Sequence, residues 1–321
     1  MPLGAVRPAA DSEKGARVAD VLVAALSLVT IIGLGFGVKQ VGWVKAGDFR
    51  TLSTIVLRIT LPALLVTSFN DATIETDLLL LPLVALGAVV IQQVTGFLLE
   101  RRNGHDAQAF GVINMGNYNI GLFAVPYLAG FLGPQVVVYA SMFDIGNALA
   151  AAGIGYAWAM SLANPERKPT VGGFLREMAT SPPFVTYLLM VTMRLLDLSF
   201  PDPVIAFTST IGAANTFLAM FMLGVGLEVR LRADKYRTAA KYLMVRYAFG
   251  VVLALLVWFL LPLADEIRAV LCMLLFAPLG GLAPAFTGAA GGDVELSALT
   301  ASVSTLMSLA LMPLVLLVLT G

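Results

Sequence analysis

Asp144 stands in the run Phe143-Asp144-Ile145-Gly146-Asn147, nine residues into an apolar stretch that begins at residue 135. At a helical rise of about 1.5 Å per residue it lies about 14 Å along that stretch. An ionisable group at such depth is costly, faces a bundle interior and marks an ion or proton path. Asn147 shares its helical face. The opposing reading of the pair is an internal salt bridge or hydrogen bond. A second polar run, Asn117-Tyr118-Asn119-Ile120-Gly121, precedes Pro126 inside another apolar stretch. There the Asn119 amide either donates to a substrate carboxylate or caps a broken helix. Arg58, four residues before Pro62, contacts a substrate anion, pairs with Asp144 or snorkels to a membrane interface. Pro62 itself predicts a local kink. Ser304, Thr305 and Ser308 add hydroxyls to the last apolar stretch, where bonding to the preceding turn is the alternative to a site role.

Other chemistries lack their residues. One cysteine, Cys272, excludes an internal disulfide, and one histidine, His105, excludes a histidine metal cluster. No metal or other cofactor is expected, and no nucleic acid. The chain has no Gly-x-Ser-x-Gly, His-Glu-x-x-His or Gly-x-Gly-Asp motif. The nearest approach, Gly291-Gly292-Asp293, follows Ala290 and reads as an outer turn. An enzyme is therefore not expected. A receptor would need an appended soluble domain, and no connection is long enough. A channel would share a polar midplane, but its flux would lack saturable counterflow.

Positioning such groups falls to membrane helices. The chain is 59% apolar and 12% charged, with mean hydropathy +0.88, far from soluble composition. A span needs about 20 mostly apolar residues, and ten runs qualify: 20–38, 51–69, 78–99, 107–130, 135–160, 182–200, 204–227, 241–262, 266–288 and 295–319. The first follows a charged tail without a cleavage site and reads as a retained span. Assigning connections alternately to two sides gathers Lys39, Lys45, Arg50, Arg101, Arg102, Arg167, Lys168, Arg176, Arg230, Arg232, Lys235, Arg237 and Lys241 on one side, 13 of the 20 basic residues. The positive-inside rule makes that side cytoplasmic and puts both termini outside, in a plasma (bacterial inner) membrane.

The longest cytoplasmic connection, 161–180, separates a first unit at 1–160 from a second at 181–321, with five spans each. Two odd groups so joined insert with opposite orientation, as an inverted repeat. A shift of 158 residues places Pro126 on Pro284, Gly130 on Gly288 and Thr305 on Asn147. Spans 4 and 9 are interrupted at corresponding positions, by Asn114, Asn117, Asn119, Gly121 and Pro126 and by Pro278, Gly280, Gly281 and Pro284. A broken helix must be buried or line a water-filled cavity, and its second half offers an N-terminus to a carboxylate at mid-membrane.

The stretch from Asn117 to Pro126, with Gly133 beyond it, resembles the auxin efflux carrier family, which includes plant PIN carriers and bacterial permeases for malate- or malonate-like acids. Leu61-Pro62-Ala63-Leu64-Leu65, Pro278 to Pro284 and Ser304 to Pro313 are similar as well. The resemblance is to the bacterial permease branch. It implies an all-α integral membrane protein of ten transmembrane helices in two inverted five-helix repeats, spans 4 and 9 crossing at their breaks, and a scaffold that often mediates homodimers. Span 7 lacks the proline frequent in that family, so auxin specificity is not carried over. The expected function is alternating-access transport of small organic carboxylate anions, such as malate, malonate or auxin-like acids. The expected substrate-binding residues are Asn117, Asn119, Asp144, Asn147, Arg58, Ser304 and Thr305, with H+ or Na+ as a possible coupling ion. The alternative is a sodium- or proton-coupled carrier of the bile-acid symporter or cation/proton antiporter type.

Overall fold

The computed structural model describes residues 9–164, 166, 170–227 and 233–320. The described residues are overwhelmingly helical: α1 (Ala9–Val41), α2 (Asp48–Ile55), α3 (Leu61–Phe69), α4 (Leu80–Leu99), α5 (His105–Met115), α6 (Val125–Leu132), α7 (Gln135–Ala148), α8 (Tyr156–Ala163), α9 (Val171–Thr180), α10 (Pro182–Leu195), α11 (Asp202–Gly226), α12 (Ala233–Leu260), α13 (Asp265–Leu274), α14 (Ala283–Ala289) and α15 (Val294–Thr320). Among the described residues seven segments are long and apolar enough to cross a membrane: Leu22–Val41, Asp48–Phe69, Thr76–Leu99, Gln135–Ala163, Asp202–Gly226, Lys235–Leu260 and Val294–Leu319. The other three expected spans behave differently. Those at 107–130 and 266–288 are interrupted, and that at 182–200 is helical only over Pro182–Leu195. The 161–180 connection contains α9, whose Gly173 N–H donates to Thr170 Oγ1.

Leu83, Phe259, Leu260 and Val318 are exposed on the outside, whereas Gln92, Gln93, Asn114, Asn147, Asn215 and Arg246 are buried. This distribution fits a lipid-facing exterior around a polar interior. Small residues let the helices approach. A Cβ on Gly96 of α4 would lie 2.1 Å from the Gly111 carbonyl oxygen of α5, a small-residue contact that substitutes for hydrophobic drive in lipid.

Two wide turns follow from proline. Val56–Thr60 and Ile120–Ala124 are π-helical, and the Leu61 and Val125 amides reach back five residues to the Val56 and Ile120 carbonyls. Pro62 and Pro126 follow immediately; each lacks an N–H and crowds the carbonyl four residues back, which widens the turn before it. A third π segment, Leu149–Gly155, has no proline. The Ala150 carbonyl within it accepts from Gln93 Nε2 at 2.9 Å, and the same Nε2 donates to the Gly116 carbonyl at 3.2 Å.

The turn at Gly291-Gly292-Asp293 is not on the side away from the basic connections, as the sequence reading had it. Lys235, in the basic stretch before span 8, pairs with Asp293 at 2.8 Å and with Glu295 at 2.9 Å.

Candidate functional site

The helical path stops at Gly116 and resumes at Ile120, and it stops again after Leu274 and resumes at Ala283. The two gaps meet. Tyr118 and Leu279 form an isolated antiparallel bridge; Asn119 N–H donates to the Pro278 carbonyl at 2.9 Å and Gly280 N–H to the Asn117 carbonyl at 3.3 Å. Peptide groups freed by the breaks thus find partners in each other, as a dry interior requires. Contact is close enough that a Cβ on Gly280 would lie 2.0 Å from Asn117 Oδ1.

Side chains from α7 and α15 hold the two gaps. Asn147 accepts the Tyr118 N–H at 3.1 Å and donates through Nδ2 to the Tyr118 carbonyl and to Asp144 Oδ1, both at 2.9 Å. Asp144 Oδ2 accepts from the Tyr187 hydroxyl of α10 at 3.0 Å. A Cβ on Gly121 would sit 3.4 Å from that oxygen and 3.6 Å from the Tyr187 hydroxyl, so the carboxyl faces the start of the resumed helix. At the second gap Ser304 Oγ accepts the Leu279 N–H at 2.9 Å, Ser308 Oγ donates to the Phe276 carbonyl at 2.7 Å, and the Tyr247 hydroxyl lies 2.9 Å and 3.1 Å from the two serine oxygens.

Beneath the crossing sits Arg246 of α12, 1% exposed. Its Nη1 donates to the Met115 carbonyl and to Gln92 Oε1 at 3.3 Å. Its Nη2 donates to the carbonyls of Asn117 at 3.0 Å, Ala277 at 3.2 Å and Pro278 at 3.5 Å. The Tyr118 ring lies 4.4 Å from the guanidinium carbon. Among the described residues no carboxylate pairs with it. Asn117 Nδ2, also buried, has no hydrogen-bond partner among the described residues. The Asn119 amide turns toward Gly281, its Nδ2 3.8 Å from where a Cβ there would be.

Of the expected residues, Asn117, Asn119, Asp144 and Asn147 come together at the first gap, with Gly121 beside them. Pro278, Gly280 and Gly281 form the second gap, and Pro126 and Pro284 take equivalent second positions in α6 and α14. Ser304 serves the second gap. Thr305, placed on Asn147 by the 158-residue shift, instead donates to Ala301 in its own helix at 2.9 Å. Arg58 is exposed on the π segment after α2, and Asp144 takes its hydrogen bonds from Asn147 and Tyr187. Tyr187, Tyr247 and Gln92 carry no local sequence signal of their roles. The one available hint was an arginine inside an apolar span, a placement costly enough to mark function.

The arrangement combines a buried positive charge, an unpaired amide donor and the amino ends of two resumed helices. Together they can bind a small carboxylate. Among the described residues no cluster of three His, Cys, Asp or Glu side chains could hold a metal ion.

Residues 20–169 match the family model described as membrane transport protein, and residues 215–321 match that of the sodium bile acid symporter family. A protein of Methanothermobacter thermautotrophicus named as an uncharacterized transporter is 24% identical over 220 residues, 67% of this chain and 70% of that relative. One helix break falls in each matched segment. The resemblance carried by Asn117 to Pro126 agrees with the first match. Over these segments the chain is similar to membrane transport proteins, and its resemblance to the auxin efflux carrier family lies within the first of them.

Proposed function

We propose that the chain is a secondary carrier that moves small organic carboxylate anions, of the malate, malonate or auxin-like type, by alternating access. The observation that carries this reading is the uncompensated Arg246 charge at the crossing of two helix breaks, next to the unpaired Asn117 amide. A carboxylate there meets donors already fixed in place, so little reorganisation opposes binding. Asn119 and the first amides of the Ile120–Ala124 turn grip it, and Asp144 with Tyr187 borders the first gap. The family match over residues 20–169 supports membrane transport.

In this reading the interrupted segments 107–130 and 266–288 and the short segment 182–200 complete ten spans. The spans form two inverted five-helix repeats, 1–160 and 181–321, joined by 161–180. The basic connections lie in the cytoplasm, both termini lie outside a plasma membrane, and the carrier is a homodimer. The crossing bundle rocks against a scaffold around the fixed site.

A second reading, a sodium- or proton-coupled carrier of the bile-acid symporter type, is favoured by the match over residues 215–321 and by the buried Asp144 carboxyl. Proteoliposome uptake of radiolabelled malonate, malate, succinate and indole-3-acetate tests both. Saturable uptake with counterflow of one acid is expected. Flux that follows an imposed sodium or pH gradient supports the second reading, and no flux of any acid removes the organic-anion assignment.

A further inference from the structure

At the crossing a guanidinium is ringed by backbone carbonyls. Interrupted helices in carriers leave carbonyl oxygens free to coordinate a coupling Na+. Here the oxygens of Met115 and Asn117 from one gap and of Ala277 and Pro278 from the other converge on Arg246 instead. Tyr118 covers one face of the guanidinium, and Gln92 supplies a further oxygen.

We propose that Arg246 is a tethered substitute for a coupling cation, so that the crossing is held and charged permanently and transport proceeds without sodium. The proposal deepens the carrier reading and rests on it for its transport arm. Arginine suits the task because its fork of N–H donors can serve several carbonyls at once, and because it does not lose its proton in a protein. Its charge also excludes a competitor. Two unit charges about 4 Å apart at an effective dielectric constant of about 20 repel enough to weaken a second cation roughly a thousandfold. Sodium coupling then has no seat at the crossing.

A purely structural arginine would make many of the same bonds, so the test needs a cation readout. Purified wild-type protein is assayed in proteoliposomes with sodium chloride or choline chloride, and its thermal midpoint in detergent is followed in the same salts. Equal uptake and equal midpoints in the two salts are expected. Arg246→Ala should lose about 100-fold in uptake and recover part of it with added guanidinium or sodium, neither of which changes the wild type. Wild-type uptake that requires sodium, or a midpoint raised by sodium but not by choline, overturns the proposal. So does a folded Arg246→Ala that keeps full uptake or is restored by neither ion. If Arg246→Ala does not fold, the wild-type salt comparison still decides. If the wild type carries no acid, the carrier reading fails while the salt dependence of the midpoint still tests the cation's place.

Discussion

Asn147 and Ser304 do the same work at two different helix breaks: Asn147 Oδ1 takes the Tyr118 N–H at 3.1 Å and Ser304 Oγ takes the Leu279 N–H at 2.9 Å, and Tyr118 and Leu279 are the residues that bridge. The two substitutions should differ in size. Asn147→Ala strands both the N–H and the carbonyl of Tyr118, whereas Ser304→Ala strands the Leu279 N–H. At about 1–3 kcal/mol for each stranded buried group, Asn147→Ala should lower thermal stability in detergent roughly twice as much as Ser304→Ala. Equal midpoints would show that the gaps do not rely on these side chains.

Gly280 and Gly281 are neighbours with opposite tolerances. A Cβ at 280 meets Asn117 Oδ1 at 2.0 Å, while one at 281 meets nothing closer than 3.8 Å. Gly280→Ala is expected to cost about 1–3 kcal/mol, as overpacking of a tight contact does, and to depress transport. Gly281→Ala should change stability by no more than about 0.5 kcal/mol. Melting curves of the two variants side by side check the pair.

Asp144 is held by Asn147 and Tyr187, one oxygen each. If this carboxyl exchanges protons during the cycle, Asp144→Asn removes the pH dependence of uptake and lowers its rate by about 10- to 100-fold. Tyr187→Phe should retain the pH dependence at a reduced rate. Full, pH-sensitive transport in Asp144→Asn would exclude the carboxyl from the cycle.

Glu100, at the end of α4, is buried and accepts from Lys241 at 2.7 Å and from the Tyr242 hydroxyl at 2.8 Å. Burial by itself would raise its pKa, but the bonds from Lys241, Asn103 and Tyr242 outweigh it and hold the carboxyl below the ordinary value of 4.5. A lowered native pKa stabilises the fold above the unfolded value, and the contribution disappears as pH falls through the native one. Glu100→Gln should therefore melt below wild type at neutral pH, with the gap closing as pH drops below 4.5. A gap independent of pH would mean that charge at Glu100 does not matter.

The long apolar helices were legible because crossing a bilayer imposes length and composition on each one locally. The breaks were legible too, since Asn117, Asn119, Gly121, Pro126, Pro278 and Gly280 each disfavour an uninterrupted helix. Register between the halves was not. The π turn at Ile120–Ala124 lies between the first gap and Pro126, whereas at the second gap Leu279 stands five residues before Pro284. One fixed shift therefore aligned the prolines and placed Thr305 where Ser304 does the work. Arg246 and Tyr187 were hidden for another reason. Arg246 is more than 120 residues from the Met115 and Asn117 carbonyls it binds, and Tyr187 is 43 from Asp144. No local pattern encodes such contacts. Arg58, prominent in the sequence, turns outward.

The central claim is that a carboxylate binds at the crossing through the Asn119 amide. Its most direct test is uptake of the acid transported by wild type, measured in proteoliposomes with folded Asn119→Ala at matched amounts of protein. The account predicts an apparent affinity or initial rate reduced about 10- to 100-fold, the loss of a hydrogen bond to a charged group. Unchanged affinity and rate would contradict it.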